Sequence, residues 1–211
     1  MPRIADSKGG RTAAVIRQVG LRLIFRHGFM AMSLRQLAAE VGIQPASLYN
    51  HIATKQALLF NLIHDHLVAL LEHCDAAVAA AAPGAVERLR AFVAQHLLYH
   101  LEKKQEVFVA NFELRALDPA NYSRIVAMRR AYEERLIELL EEGVAAGEMD
   151  LRDTRIAAYA ILAMLTGACT WYKPDGRLTK AEMVDLHTDM VLHGCVSSLA
   201  PVTAGRRGRL E

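Results

Sequence analysis

The 211-residue chain lacks most of the features that mark a membrane protein, a secreted protein or an enzyme. No stretch of about 18 apolar residues runs through it, so no transmembrane helix is expected. Met1 to Gly10 includes Asp6 and no apolar run, unlike a secretory signal, and the cytoplasm is the expected location. Cysteine is scarce: Cys74, Cys169 and Cys195 are odd in number, lack metal-type spacing and read as reduced core thiols. Strand-like alternation is absent, which argues against a sheet. There is no Gly-rich phosphate loop and no G-x-S-x-G elbow. His96 and His100 stand at i, i+4, but no carboxylate completes an H-E-x-x-H metal motif. His64 and His66, two apart, fall on different helix faces. The chain is therefore read as a non-enzyme with no cofactor and no metal.

What is present is an ordinary globular composition, 53 % hydrophobic and 23 % charged. The net charge of +2 hides an uneven distribution. Residues 1–55 hold eight basic residues (Arg3, Lys8, Arg11, Arg17, Arg22, Arg26, Arg35, Lys55) against Asp6 and Glu40. The remainder holds seventeen basic and twenty-one acidic residues. That asymmetry suggests an N-terminal segment facing a polyanion, the alternative being a merely solvated basic surface.

Ala, Leu, Glu and Arg dominate, and the chain reads as nine helices. Ile16, Val19, Gly20, Leu23, Ile24 and His27 recur at helical spacing until Gly28 stops the first. Ser33, with Gln36 three positions on, reads as the capping box of a second helix carrying Leu34, Leu37, Ala38 and Val41. Gly42 turns the chain, and Pro45 opens a short third helix. Thr54 caps a long fourth helix. Further helices are expected at about 85–104, 107–116, 118–146, from Asp153 or Thr154 to 172, and from the Thr179/Glu182 capping box to about 199. The division expected is an arm at 1–10, a head at 11–56, a body at 57–199 and a disordered tail at 200–211.

Ser33 to His51 has the plan of a helix-turn-helix, whose second helix enters the major groove of duplex DNA. Leu34, Leu37, Ala38, Val41, Ile43 and Leu48 would lock it together, leaving Gln44, Ala46, Ser47, Tyr49, Asn50 and His51 outward. Gln and Asn pair bidentately with adenine, and hydroxyls donate to phosphate. A purely structural helical hairpin is the alternative.

The stretch SLRQLAAEVGIQPASLYNHIATKQALL resembles the DNA-binding region of the tetracycline-repressor (TetR) family. The resemblance covers about residues 11–60. It rests on Gly28-Phe29, Ser33, Leu37-Ala38, Val41-Gly42, Leu48-Tyr49-x-His51 and Lys55. It implies an all-α, nine-helix, two-domain fold that binds palindromic operator DNA as a homodimer. It further implies that Tyr49, His51 and Lys55 hold the phosphate backbone. Ser33 and Arg35 would touch phosphate or a groove edge, and Gln44, Ala46, Ser47 and Asn50 would face bases. Gln44-Pro45 departs from the family's usual Ser or Thr cap, and a free Gln44 is read as a base contact.

The same resemblance implies a ligand cavity among the middle helices and a four-helix dimer interface built from the last two helices of each copy. Asp153 to Tyr172 is apolar nearly all round and rich in small residues, which suits burial on two sides. Two-fold pairing would set two reading helices about 34–36 Å apart. The cavity candidates are Phe92, His96, Phe108, Phe112, Arg115, Arg129, Tyr132, Tyr159, Leu162, Thr166 and Trp171, with ordinary core as the alternative for each aromatic residue. Arg115 and Arg129 either snorkel outward or meet an anion. The segment TWYKPDGRLT, Thr170 to Thr179, resembles family members that respond to acyl-coenzyme A thioesters. It implies an acyl part between helices and phosphates near Lys173 or Arg177. The expected function is a ligand-responsive repressor. The alternatives are a regulator with no effector, or one answering to a small hydrophobic or aromatic compound.

Overall fold

Helix ends in this chain are set by short polar side chains that close orphan backbone N–H groups, and by glycines that turn the chain left-handed. The structure, a computed structural model, describes residues 8–196. Among them are nine α-helices: α1 (Lys8–His27), α2 (Leu34–Val41), α3 (Pro45–Leu48), α4 (Lys55–Ala80), α5 (Ala85–Glu102), α6 (Lys104–Phe112), α7 (Pro119–Ala145), α8 (Thr154–Trp171) and α9 (Lys180–Cys195). The only extended pairing among the described residues is a bridge between Met149 and Val196.

The caps fall where the sequence places them. Thr54, Asp118 and Asp153 each accept a hydrogen bond from the backbone three residues on, and Thr179 with Glu182 forms a complete capping box. At Ser33 only half of the expected box forms: its hydroxyl accepts from the Gln36 N–H at 3.1 Å. Three boundaries differ from expectation. First, α1 starts at Lys8, so residues 8–10 belong to a helix rather than an arm. Second, α5 gives way to α6 at Lys103, whose φ of −104° and ψ of 38° kink the path. Third, α6 ends at Phe112, and Leu114–Ala116 forms a single 3-10 turn. Most of the expected arm and the tail at 200–211 lie outside the described residues.

Two apolar cores share the long α4. In the first, Ile16, Leu23 and Ile24 of α1 close on Leu37, Ala38, Leu48 and the first turns of α4, Leu58 to Leu67. This core also takes Val109 and Ala110 of α6 and Ile125 of α7. In the second, α5 is central, with Leu89, Phe92, Val93 and Leu97 buried against α4, α7, α8 and α9. The head is thus not joined to the body by α4 alone, because α6 packs against both α1 and α4. Phe25 of α1 meets Phe108 of α6 edge-on at 4.9 Å. The Gln56 side-chain amide donates to the Ala116 carbonyl at 2.7 Å, and its oxygen accepts from the Asp118 N–H at 3.1 Å.

Gly42 ends α2 with φ of 78°, and its N–H closes on Ala38 and Ala39 carbonyls. Nothing lies within 4 Å of where a Cβ would stand, so a larger residue there is opposed by backbone strain alone. Gly42→Ala is expected to lower stability by about 1–2 kcal/mol, measured by thermal unfolding, without removing any packing contact.

Candidate functional site

The first site is built from the two short helices of the head. Arg22 of α1 pairs with Glu40 of α2 at 2.9 Å, and Leu37 and Ala38 turn inward, which fixes α2 on α1. The turn from Gly42 then presents α3, anchored by the fully buried Leu48. Gln44, Ala46, Ser47, Tyr49 and Asn50 are exposed together on one side of that anchor, and His51 is half-buried beside them. Gln44 is the N-cap residue of α3 yet makes no side-chain cap, so its amide is uncommitted. Tyr49 stands 58 % exposed. Ser33 and Arg35 are exposed at the start of α2, and Arg35 makes no ion pair among the described residues.

Lys55 is already engaged. Its Nζ donates to the Met30 carbonyl at 3.2 Å and lies 4.4 Å from the centre of the Phe29 ring, and partial burial lowers its pKa. The ammonium is therefore held against the α1–α2 turn rather than swinging free, with further N–H donors for another acceptor. Met30 itself is 81 % exposed next to this cation, a feature that sequence reasoning did not single out.

The second site lies in the body as two adjoining cavities. The outer one, about 550 Å³, is lined by Phe25, Val107, Phe108, Phe112 and small residues of α8, with Lys104 its one basic lining residue. The inner one, about 120 Å³, is lined by His66, His96, His100, Arg129, Tyr132 and Glu133 together with Leu67, Leu70, Ala110 and Leu162. Asn111 and Thr166 line both. Of the expected cavity residues, His96, Arg129, Tyr132, Leu162 and Thr166 thus meet in the inner cavity, and Phe108, Phe112 and Thr166 meet in the outer one. Phe112 is 62 % exposed at that cavity's rim.

Four candidates fall elsewhere. Phe92 is core, stacked on Tyr132 at 5.5 Å. Arg115 is exposed on the 3-10 turn, because α6 stops before it. Tyr159 is exposed on the outer face of α8. Trp171 stacks on His187 and lines a separate recess of about 190 Å³ with Lys173 and Arg177. His66 and His100 line the inner cavity and were missed as ligand residues. The available signal was a histidine inside an otherwise apolar helical stripe.

A hydrogen-bond chain crosses the inner cavity. The Cys74 thiol meets the Tyr132 hydroxyl at 3.2 Å, that hydroxyl meets His96 Nδ1 at 2.6 Å, and His96 Nε2 meets the Thr166 hydroxyl at 3.3 Å. His100 Nδ1 donates to the His96 carbonyl, and the two rings stack at 3.9 Å. Arg129 Nη2 donates to the Ala110 carbonyl at 2.6 Å and to Asn111 Oδ1 at 2.9 Å, tying α7 to α6. Burial disfavours every charged imidazole here. It lowers His66 to about 3, with His100, Arg129 and Lys103 adding repulsion, lowers His100 to about 4, and drives His96 well below its usual range. Among the described residues, no group of three or more His, Cys, Asp or Glu side chains is placed to hold a metal.

These depressed values fix the sign of a pH effect. Between the folded values and the ordinary histidine value of about 6.5, the unfolded chain binds more protons, so the histidine contribution to stability falls as pH drops below about 6.5 and levels off above it. For His66 the loss by pH 4.5 is roughly 2–3 kcal/mol. Thermal unfolding across that range should show a falling Tm, and His66→Phe should flatten the fall.

Comparison with known proteins places both sites in one family. Residues 16–62 match the pattern described as bacterial regulatory proteins, tetR family, and residues 82–195 match the tetracyclin repressor-like C-terminal domain. The HTH-type transcriptional repressor KstR2 of Mycolicibacterium smegmatis is 23 % identical over 183 residues, covering 86 % of this chain and 89 % of that protein. The structure of AibR in complex with isovaleryl coenzyme A and operator DNA superposes with a TM-score of 0.78 at 28 % identity, covering 85 % of this chain and 97 % of that one. The TetR-family regulator PfmR from Thermus thermophilus gives 0.77 at 28 % identity, with coverage of 85 % and 97 %. No helix among the described residues is long and apolar enough to cross a membrane. The chain belongs to the tetracycline-repressor family of bacterial transcriptional regulators.

Proposed function

We propose that this regulator is a repressor that binds a palindromic operator as a homodimer and releases it when an amphipathic effector, an acyl-coenzyme A thioester, fills the two cavities of the body. The observation that carries this reading is the outer cavity. It is apolar, reaches Phe25 of the head and Phe108 of α6 at once, and carries Lys104 among its lining residues. An acyl chain suits the apolar lining, and a basic side chain suits a phosphate. The solved complex of AibR with isovaleryl coenzyme A and operator DNA, 28 % identical, supports the same class of effector. The recess that holds Lys173 and Arg177 is separate from the outer cavity, so Lys104 is the better placed phosphate partner.

Dimer formation is assigned to α8 and α9. Ile156, Tyr159 and Trp171 on α8 and Leu186 and Met190 on α9 are large apolar residues left exposed. Together with the small Ala160 and Ala163, they leave room for a partner helix to approach closely. A symmetric pair would carry two reading heads, and the effector would act by preferring the spacing that misfits DNA. A few kcal/mol of preference changes occupancy by orders of magnitude. The cytoplasm is the compartment this function requires.

In the head, Gln44, Ala46, Ser47 and Asn50 are assigned to base edges. Tyr49, His51 and Lys55, with Ser33 and Arg35, are assigned to the backbone or groove edge. Selection from random duplexes should return a palindrome with half-sites about one helical turn apart. Lys55→Ala should weaken binding about equally on all sequences, whereas Gln44→Ala should relax preference at one position. A change of sequence preference in Lys55→Ala would reverse these roles.

The effector reading is tested by titrating the protein–DNA complex with acyl-coenzyme A esters of increasing chain length. Release should depend on chain length and weaken severalfold in Lys104→Ala. No release at any length would remove this effector class.

A further inference from the structure

The inner cavity is poorly suited to a plain alkyl chain. His66, only 6 % exposed, keeps its Nδ1 buried with no hydrogen-bond partner among the described residues, and the Nε of Arg129 is in the same condition. Leaving a buried donor or acceptor unmet is costly, and because both residues line one small cavity, a small shift of either side chain would let a polar group seated there meet that need. An apolar terminus would seal that cost in place.

The lining also limits the charge of what enters. His100 donates its Nδ1 hydrogen to the His96 carbonyl, which leaves Nε2 of the neutral ring as an acceptor. Arg129 contributes N–H donors and makes no ion pair among the described residues, while Glu133 lines the same cavity and its charge opposes that of Arg129. A cavity of about 120 Å³ that offers both donors and an acceptor, and where buried imidazoles stay neutral, matches a small uncharged group able to do both.

From this geometry we infer that the effector carries an uncharged hydroxyl at the end of its apolar part, seated in the inner cavity between Arg129 and His66. The inference rests on the cavities being the effector site. It adds a chemical selectivity that the apolar outer cavity alone does not give. It also connects the ligand to the head: Arg129 holds the Ala110 carbonyl of α6, and Ala110 belongs to the apolar core of the head. An oxygen on Arg129 therefore bears on the helix that touches α1.

The test uses the full-length protein and matched esters: hexanoyl, octanoyl and decanoyl coenzyme A, their ω-hydroxy counterparts, and the ω-carboxy counterparts. Affinity is measured by calorimetry and by release of operator DNA. At the best-fitting length the ω-hydroxy ester should bind at least about tenfold more tightly than its parent, because a site with unmet polar groups rejects the analogue that cannot pair them. His66→Phe and Arg129→Met should each erase that preference, read as the ratio of the two esters' affinities within the same variant. His66→Phe, which keeps the contacts of Arg129 to α6, decides the matter if Arg129→Met fails to fold. Equal or weaker binding of every ω-hydroxy ester, or a preference unchanged in His66→Phe, overturns the inference while the thioester reading stands. Tighter binding of the ω-carboxy esters overturns it in favour of a charged end group. If no thioester binds, the coenzyme A reading falls, and 1,8-octanediol against 1-octanol becomes the deciding pair. A diol preference that His66→Phe removes upholds the inference, and no preference overturns it.

Discussion

Communication in this protein depends on one helix being pinned from two sides. On one side α6 gives Val109 and Ala110 to the core of the head and Phe108 to Phe25 of α1. On the other it supplies Phe108, Phe112 and Val107 to the outer cavity, and it is held by Arg129 from α7. Close-packed interiors respond to added volume by shifting between discrete arrangements rather than by yielding locally. A ligand that wedges α6 away from α8 must therefore move α1 or break the Phe25–Phe108 contact. The long α4 carries the covalent connection, and Arg17 paired with Asp65 binds it to α1. The head thus rides on two supports, and moving one against the other tilts it.

The degree to which this was legible in the sequence differs by element. Caps were readable because they are local: Thr54, Asp118, Asp153 and Thr179 each close an N–H three residues away. The exposed face of α3 was readable for the same reason, since the spacing of Leu37, Ala38 and Leu48 decides which neighbours face out. The role of α6 was not readable. Nothing in the sequence around Phe108 and Ala110 says that their partners lie more than 40 residues upstream in α1 and α4. Arg115 and Tyr159 were misplaced as cavity residues for a related reason. Helical periodicity identifies a face, but whether that face meets a cavity, solvent or a second copy is decided by packing between elements far apart in the chain.

The buried histidines show how a polar signal is misread in one dimension. At i, i+4 spacing His96 and His100 invite a metal reading, yet the fold turns His96 into a link between Tyr132 and Thr166 and stacks His100 upon it. A histidine is useful there because its neutral ring both donates and accepts, so one network crosses from α4 through α7 and α5 to α8. The network costs stability at acid pH and gives the core a defined geometry.

The head is built on the opposite principle. The interior of the body satisfies most of its polar groups, whereas α3 offers its own outward: a four-residue helix with an unused Gln44 amide, exposed Ser47 and Asn50, and a single deep anchor in Leu48. So short a helix has little stability of its own and keeps its shape because Leu48, Pro45 and the caps on either side define it. Uncommitted amides and hydroxyls at the surface lose nothing to water while DNA is absent, and each gains a partner when a base edge or phosphate arrives. Rigid backbone with free side-chain donors suits reading, and pinned Lys55 suits holding. The division of labour proposed for Gln44 and Lys55 therefore matches how tightly the fold grips each one.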